Sequence, residues 1–283
     1  MPLSRLAIYT TAHGLDSVQD HIDQFEAADI SPDFVALELP DVEDVCEDVH
    51  SFSRKLAKQS PATGFAWYII ERIHIRAYEN TNHTADRSDA EYEAGRRYAD
   101  QHDIPHVAVD LERSKIAERY ATWPRRFRDA AVLLTGGGIT LALFAVALFL
   151  ALGGLVTFLN QGLTQQGILT VILAGVIAVV LVYVGRFSAL YTIGKIGRWF
   201  RDTIREIRDD VMYDQICRIG REQSASEGLL IAGAAHFSGI EALAEQDGVE
   251  CWQIESPAVS RYEGDLDELS PREIEDIAEP NTE

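Results

Sequence analysis

The chain has 283 residues and a formal net charge of -20, from 45 acidic against 25 basic side chains. Such a surface repels phosphate instead of neutralising it, which sets nucleic acid aside as a partner. Lysine is confined to Lys55, Lys58, Lys115 and Lys195, and abundant Asp and Glu with little Lys fits a protein kept soluble in concentrated salt, where self-repulsion is screened.

In chain order, Leu6 to Tyr9 predicts an apolar strand, and Val18, Ile22 and Phe25 then recur at helical spacing behind Ser17, a natural N-cap. Phe34 to Leu39 predicts a second strand ended by Pro40, followed by an acidic helix from about Val42 to Lys58. In Phe65 to Tyr78, Ile73 and Ile75 alternate with Arg72, His74 and Arg76, which suggests a strand with one basic face. Asp89 to Gln101 predicts a helix and His106 to Asp110 another strand.

No charge interrupts Ala130 to Leu159, and a second uncharged run covers Gly167 to Gly185; about 20 apolar residues suffice to cross a bilayer as a helix. The short polar stretch from Asn160 to Gln166 reads as the turn of a hairpin, and Gly136 to Gly138 as a place of close helix packing. Arg125, Arg126 and Arg128 precede the first span, while Arg186, Lys195, Arg198 and Arg201 follow the second. By the positive-inside rule both flanks are expected in the cytoplasm of a two-span cell-membrane protein. Leu3 to Ala12 is broken by Arg5 and does not read as a signal peptide.

Beyond the hairpin, Ile193, Ile196, Phe200, Ile204, Ile207 and Val211 continue a helical stripe. Strands at Leu229 to Ala232 and Val249 to Trp252 bracket a helix around Ile240 to Ala244. Strands alternating with helices predict an α/β fold with a mainly parallel sheet and flanking helices, interrupted by a two-helix transmembrane hairpin. The expected division is a first α/β part over 1–128, the hairpin over 129–186, a second α/β part over 187–261 and an acidic disordered tail over 262–283.

The segment LAIYTTAHG near the start returns as LLIAGAAHFSG near the end, superposing Ala12 on Ala235 and His13 on His236. Ligands of open parallel sheets bind beyond the carboxyl ends of the strands. His13, Glu38, Asp110 and His236 each stand at such an end, and two imidazoles with two carboxylates on one rim suit a divalent metal ion with a water as nucleophile; one carboxylate is alternatively a general base. His102 and His106 are separated by Pro105, which breaks the helix that could pair them, and read as surface. His21, His50 and His83 also read as solvated surface. Cys46, Cys217 and Cys251 are odd in number and lack CxxC spacing, so they read as small buried or half-buried side chains.

The order TTAHGLDSVQDHIDQF, SPDFVALELP, HVAVDLER, RDDVMYDQI, LLIAGAAHFSGI resembles the TraB/PrgY family, distantly related to the Tiki proteases, from about Leu6 to Ala244. The resemblance implies an α/β domain with two Gly-x-x-His motifs, membrane attachment, and a metal-dependent peptidase site. It carries the motif histidines onto His13 and His236, the strand-end glutamate onto Glu38, and an Arg-Asp-x-x-Met helix onto Arg208, Asp209 and Met212. Thr10 replaces the first motif's glycine, and Asp110-Leu111-Glu112 stands where Asp-Arg-Asp is usual. Glu38, Arg208 and Asp209 are the expected catalytic residues, and His13, Glu38, Asp110 and His236 the expected metal ligands. The expected function is peptide hydrolysis at the cytoplasmic face; the rival is a membrane protein that captures a peptide or protein partner without chemistry.

Overall fold

The computed structural model describes residues 3–12, 16–40, 49–79, 90–162 and 164–261. Five strands, β1 (Arg5–Thr11), β2 (Phe34–Pro40), β3 (His106–Asp110), β4 (Glu227–Gly233) and β5 (Glu250–Glu255), form one sheet in the order β3-β2-β4-β1-β5. Every pairing is parallel. The helices are α1 (Val18–Ala27), α2 (Val49–Gln59), α3 (Pro61–Glu79), α4 (Ala90–His102), α5 (Arg113–Tyr120), α6 (Trp123–Gln161), α7 (Gln165–Gln223), α8 (Phe237–Asp247) and α9 (Pro257–Arg261). The chain divides into two compact units, Met1–Asp48 with Arg72–Tyr120 and Asp202–Glu283, and Val49–Glu71 with Ala121–Arg201.

In the first unit both faces of the sheet are buried, as all-parallel sheets require. Successive side chains point to opposite faces. Leu6, Ile8, Phe34 and Ala36 therefore meet Met212, Ile216 and Ile240 on one face, and Ala7, Tyr9, Val35 and Leu37 meet Ile22, Phe25 and Tyr98 on the other. Burial of each such Leu, Ile or Phe contributes about 1.5–3 kcal/mol. The start of α1 is set by Ser17, whose hydroxyl accepts from the Asp20 N–H while the Asp20 carboxylate accepts from the Ser17 N–H, a reciprocal cap. β4 lies between β2 and β1, so strands from before and after the long helices complete one sheet.

In the second unit α6 and α7 run antiparallel in close contact. A Cβ added at Gly136 would lie 2.1 Å from Thr192 Oγ1, one at Gly154 would lie 3.0 Å from Ala174 Cβ, and Thr140 Oγ1 donates to Gly185 O at 3.3 Å. Small residues thus bring the two backbones together. Of the Gly136 to Gly138 run only Gly136 has this role, since Cβ atoms at Gly137 and Gly138 would meet open space. Outside the contact line the helices expose large apolar side chains, with Leu141 72%, Phe149 76% and Leu159 72% accessible.

Two expectations are corrected. The segment from Phe65 to Tyr78 is not a strand but part of α3. The β-branched alternation of Ile73 and Ile75 misleads there, whereas Ala62, Ala66 and Ile70 at four-residue spacing carry the helical signal: the alanines are buried, and Ile70 packs at the place a Gly197 Cβ would occupy. His21 is not solvated. It is 1% exposed, and its Nδ1 lies 2.7 Å from the Tyr9 hydroxyl beneath α1. His102 and His106 are exposed as expected, and Cys217 and Cys251 are half-buried free thiols. The front of the acidic helix, Cys46, His83 and the 262–283 tail lie outside the described residues.

Candidate functional site

The strand order fixes where a crevice can form. From β2 the chain proceeds to β3 at one side of the sheet, and from β4 to β5 at the other, so β2 and β4 are neighbours whose onward connections diverge. Ligands of open α/β sheets bind beyond the carboxyl ends of such a pair.

β2 supplies Glu38 to this point. Its register against β3 slips by one residue, with Leu37 opposite Ala108 but Pro40 opposite Asp110; a bulge of this kind re-aims a side chain. One oxygen of Glu38, Oε2, accepts from the Gly233 N–H at 2.6 Å, which ties it to the end of β4. Helix α7 supplies Arg208 and Asp209. Its buried stripe through Met212, Ile216 and Ile219 ends near Leu3 at the amino end of the sheet, so the residues before Met212 reach the carboxyl end. Arg208 bridges two strands there: its Nη2 donates to Glu38 Oε1 and, at 2.7 Å, to Asp110 Oδ2, while its Nε donates to Asp110 Oδ1 at 3.0 Å. The two-nitrogen grip on Asp110 is the planar match between guanidinium and carboxylate that Lys cannot make.

His236 closes a short 3-10 turn, Ala234–His236, capped by Gly233 directly after β4. Its Nδ1 pairs with Asp209 Oδ1, and its Nε2 lies 3.2 Å from Glu38 Oε1. Asp209 reaches it through a gap left by a glycine: a Cβ at Gly239 would sit 2.0 Å from Asp209 Oδ2. The network therefore runs Asp110, Arg208, Glu38, His236, Asp209, and Arg208 is its most accessible member at 22% of its side chain.

Burial alone would lower the His236 pKa, but the hydrogen bonds to Asp209 and Glu38 and the Glu38 charge outweigh it and raise the ring to about 9. The imidazole is then a cation at neutral pH that donates from both nitrogens. Burial pushes the Asp209 carboxyl upward, and its bond with His236 pulls the other way. Burial would likewise lower the Arg208 pKa, yet Glu38 and Asp110 raise it. Burial, reinforced by Glu38 and Glu91, holds the Tyr92 phenol above its ordinary range.

Glu38, Asp110, Arg208, Asp209 and His236 are thus brought together, while His13 lies outside the described residues. Glu38 and Asp110 do not offer a vacant ligand set as arranged: each of their oxygens accepts from Arg208 or Gly233, and the arginine places a positive charge between them. Among the described residues no group of three or more His, Cys, Asp or Glu side chains is arranged to hold a metal ion. As arranged, a divalent ion would compete with the Arg208 guanidinium for the Glu38 and Asp110 oxygens. Gly233 and Gly239 were not among the expected site residues; their signal was the glycine spacing of GAAHFSG around His236. The chain matches no known family model, no curated protein and no solved structure.

Proposed function

We propose that the chain is a membrane-anchored hydrolase of the TraB type, acting on peptides from the cytoplasmic face. The observation that supports this reading is the buried Arg208–Glu38–His236–Asp209 network at the divergence of β2 and β4. The two anchoring helices are α6 and α7, whose exposed apolar surface extends from Leu134 to Leu159 and from Ile168 to Tyr191. Arg186 lies five residues inside the second limit, about 7 Å along the helix, a distance its side chain spans by snorkelling.

In this reading Glu38 takes a proton from the attacking water while a bond forms between water oxygen and the scissile carbonyl carbon. Arg208 and the imidazolium of His236 oppose the charge that develops on the carbonyl oxygen. His236 Nε2 then protonates the departing amine as the C–N bond breaks. Glu38 returns its proton to the imidazole across 3.2 Å, restoring both groups. Asp209 positions His236 and Asp110 positions Arg208; no step passes through a metal ion.

The binding reading, capture of a peptide without cleavage, is favoured by one specific observation: Glu38 is 7% and His236 5% exposed, and both already have protein partners. Incubating the full chain in vesicles with a mixed peptide pool separates the two. Shortened peptides support hydrolysis; peptides retained intact support capture; a pool neither cut nor retained sinks both. Chelation is expected to leave cleavage unchanged, and activity restored only by a divalent ion would return the metal to the site.

A further inference from the structure

Between Ala121 and Arg201 this acidic protein reverses its charge, with seven basic side chains against one acidic, Asp129. Asp129 is 0% exposed and committed internally: its Oδ2 accepts from the Thr63 hydroxyl at 2.7 Å and its Oδ1 from Arg128 at 2.9 Å. Except for Arg186, the cations gather at one level of the hairpin, Arg125, Arg126 and Arg128 on α6 and Lys195, Arg198 and Arg201 on α7. The antiparallel contacts of Gly136 with Thr192 and of Arg128 with Trp199 bring these two sets alongside one another.

The collar has a built centre. Trp199 carries the Arg128 guanidinium 4.2 Å from its ring centroid and the Lys195 ammonium 4.9 Å from it. The indole thus faces two cations, of which Arg128 is already paired with the buried Asp129 and Lys195 is the one an approaching anion would meet. Arg126, Arg198 and Arg201 are exposed at the same level of the two helices. Apolar side chains lie on the turn-ward side, where Leu134 is 75% and Tyr191 64% exposed. A phosphate approaching here would find cations at the level of the lipid headgroups and acyl-binding surface next to them.

We infer that the collar at Arg128, Lys195, Trp199, Arg198 and Arg201 binds an anionic phospholipid headgroup of the cytoplasmic leaflet. The inference rests on the membrane reading above and adds a ligand to it. Basic clusters at the cytoplasmic end of spanning helices attract such lipids, each cation adding a roughly five-fold preference near the surface. The attraction is electrostatic and weakens within a Debye length as salt rises.

The test uses the full chain reconstituted in phosphatidylcholine vesicles carrying spin-labelled phosphatidylglycerol or spin-labelled phosphatidylcholine, read as the motionally restricted fraction at the protein. Phosphatidylglycerol is expected to be enriched over phosphatidylcholine, less so at higher salt. Lys195→Gln with Arg198→Gln should reduce the enrichment by about five-fold per cation, whereas Lys195→Arg and the remote Arg97→Gln should preserve it. Inorganic phosphate at matched ionic strength should displace no more label than chloride; specific displacement would mean a site for the free anion and overturn the lipid assignment. Incorporation without enrichment, or enrichment untouched by the double substitution, overturns this inference alone. Failure to enter either vesicle overturns the membrane reading and the collar with it.

Discussion

His236 is a buried imidazole that stays charged because two carboxylates face it. Its pKa is raised to about 9 from an ordinary value near 6.5 in the unfolded chain. Its contribution to stability is therefore full below about 6.5 and fades as pH rises through about 9. Thermal melting in detergent should decline over that window, and His236→Asn should flatten the decline; an unchanged slope contradicts the imidazolium assignment. Glu38→Gln removes the charge that faces Arg208 and His236 together. Breaking a buried pair from one side costs about 3–5 kcal/mol, a loss measurable by the same melts, and a cost below about 1 kcal/mol would show the network to be loosely held. Glu38, Asp110 and His236 were legible in the sequence because each stands at or just past the carboxyl end of a recognisable strand. Arg208 and Asp209 had no such marker: they lie in a long helix among many charges and emerged only through resemblance to a family motif. His21 was misread because helical position alone does not reveal a tyrosine hydroxyl, that of Tyr9, waiting on the sheet below.

At the scale of elements, the site depends on how closely helices approach the sheet and one another. Helix α4 crosses it at Gly95, where a Cβ would lie 2.4 Å from Ile231 Cδ1 and 2.9 Å from Leu37 Cδ2. Overpacking of this kind costs about 1–3 kcal/mol, so Gly95→Ala should lower stability by that amount in denaturant titration, and a neutral result would mean α4 can shift freely. Gly239→Ala acts differently, since its new methyl meets the Asp209 carboxylate and not the core. It should separate Asp209 from His236 and lower the ring pKa toward its ordinary value, observable as a shifted imidazole titration by NMR together with the loss of melting temperature that linkage requires. Strands were readable because a doubly buried parallel sheet writes them as short apolar runs. α3 was not, because isoleucine alternation imitates a strand and masks the four-residue spacing of Ala62, Ala66 and Ile70, while the packing of Ile70 against Gly197 comes from distant sequence. The bulge at Glu38 was likewise invisible, being a property of the pairing between β2 and β3.

The whole molecule combines a parallel five-stranded sheet with two helices long and apolar enough to cross a membrane. In the topology proposed above, the charge asymmetry places both flanks of the hairpin in the cytoplasm. A cysteine introduced between Asn160 and Gln166 should accordingly be labelled from outside intact cells, whereas one at Ser4 should not; labelling at Ser4 reverses the orientation. The most direct measurement is the rate at which the full chain in vesicles frees new amino termini from a peptide pool, compared with Glu38→Gln and with the distant Arg97→Gln. Loss of a general base lowers such rates by about 10²–10⁴-fold. That fall is expected for Glu38→Gln and none for Arg97→Gln; equal rates in Glu38→Gln and the unaltered chain would exclude Glu38 as the general base of a peptidase.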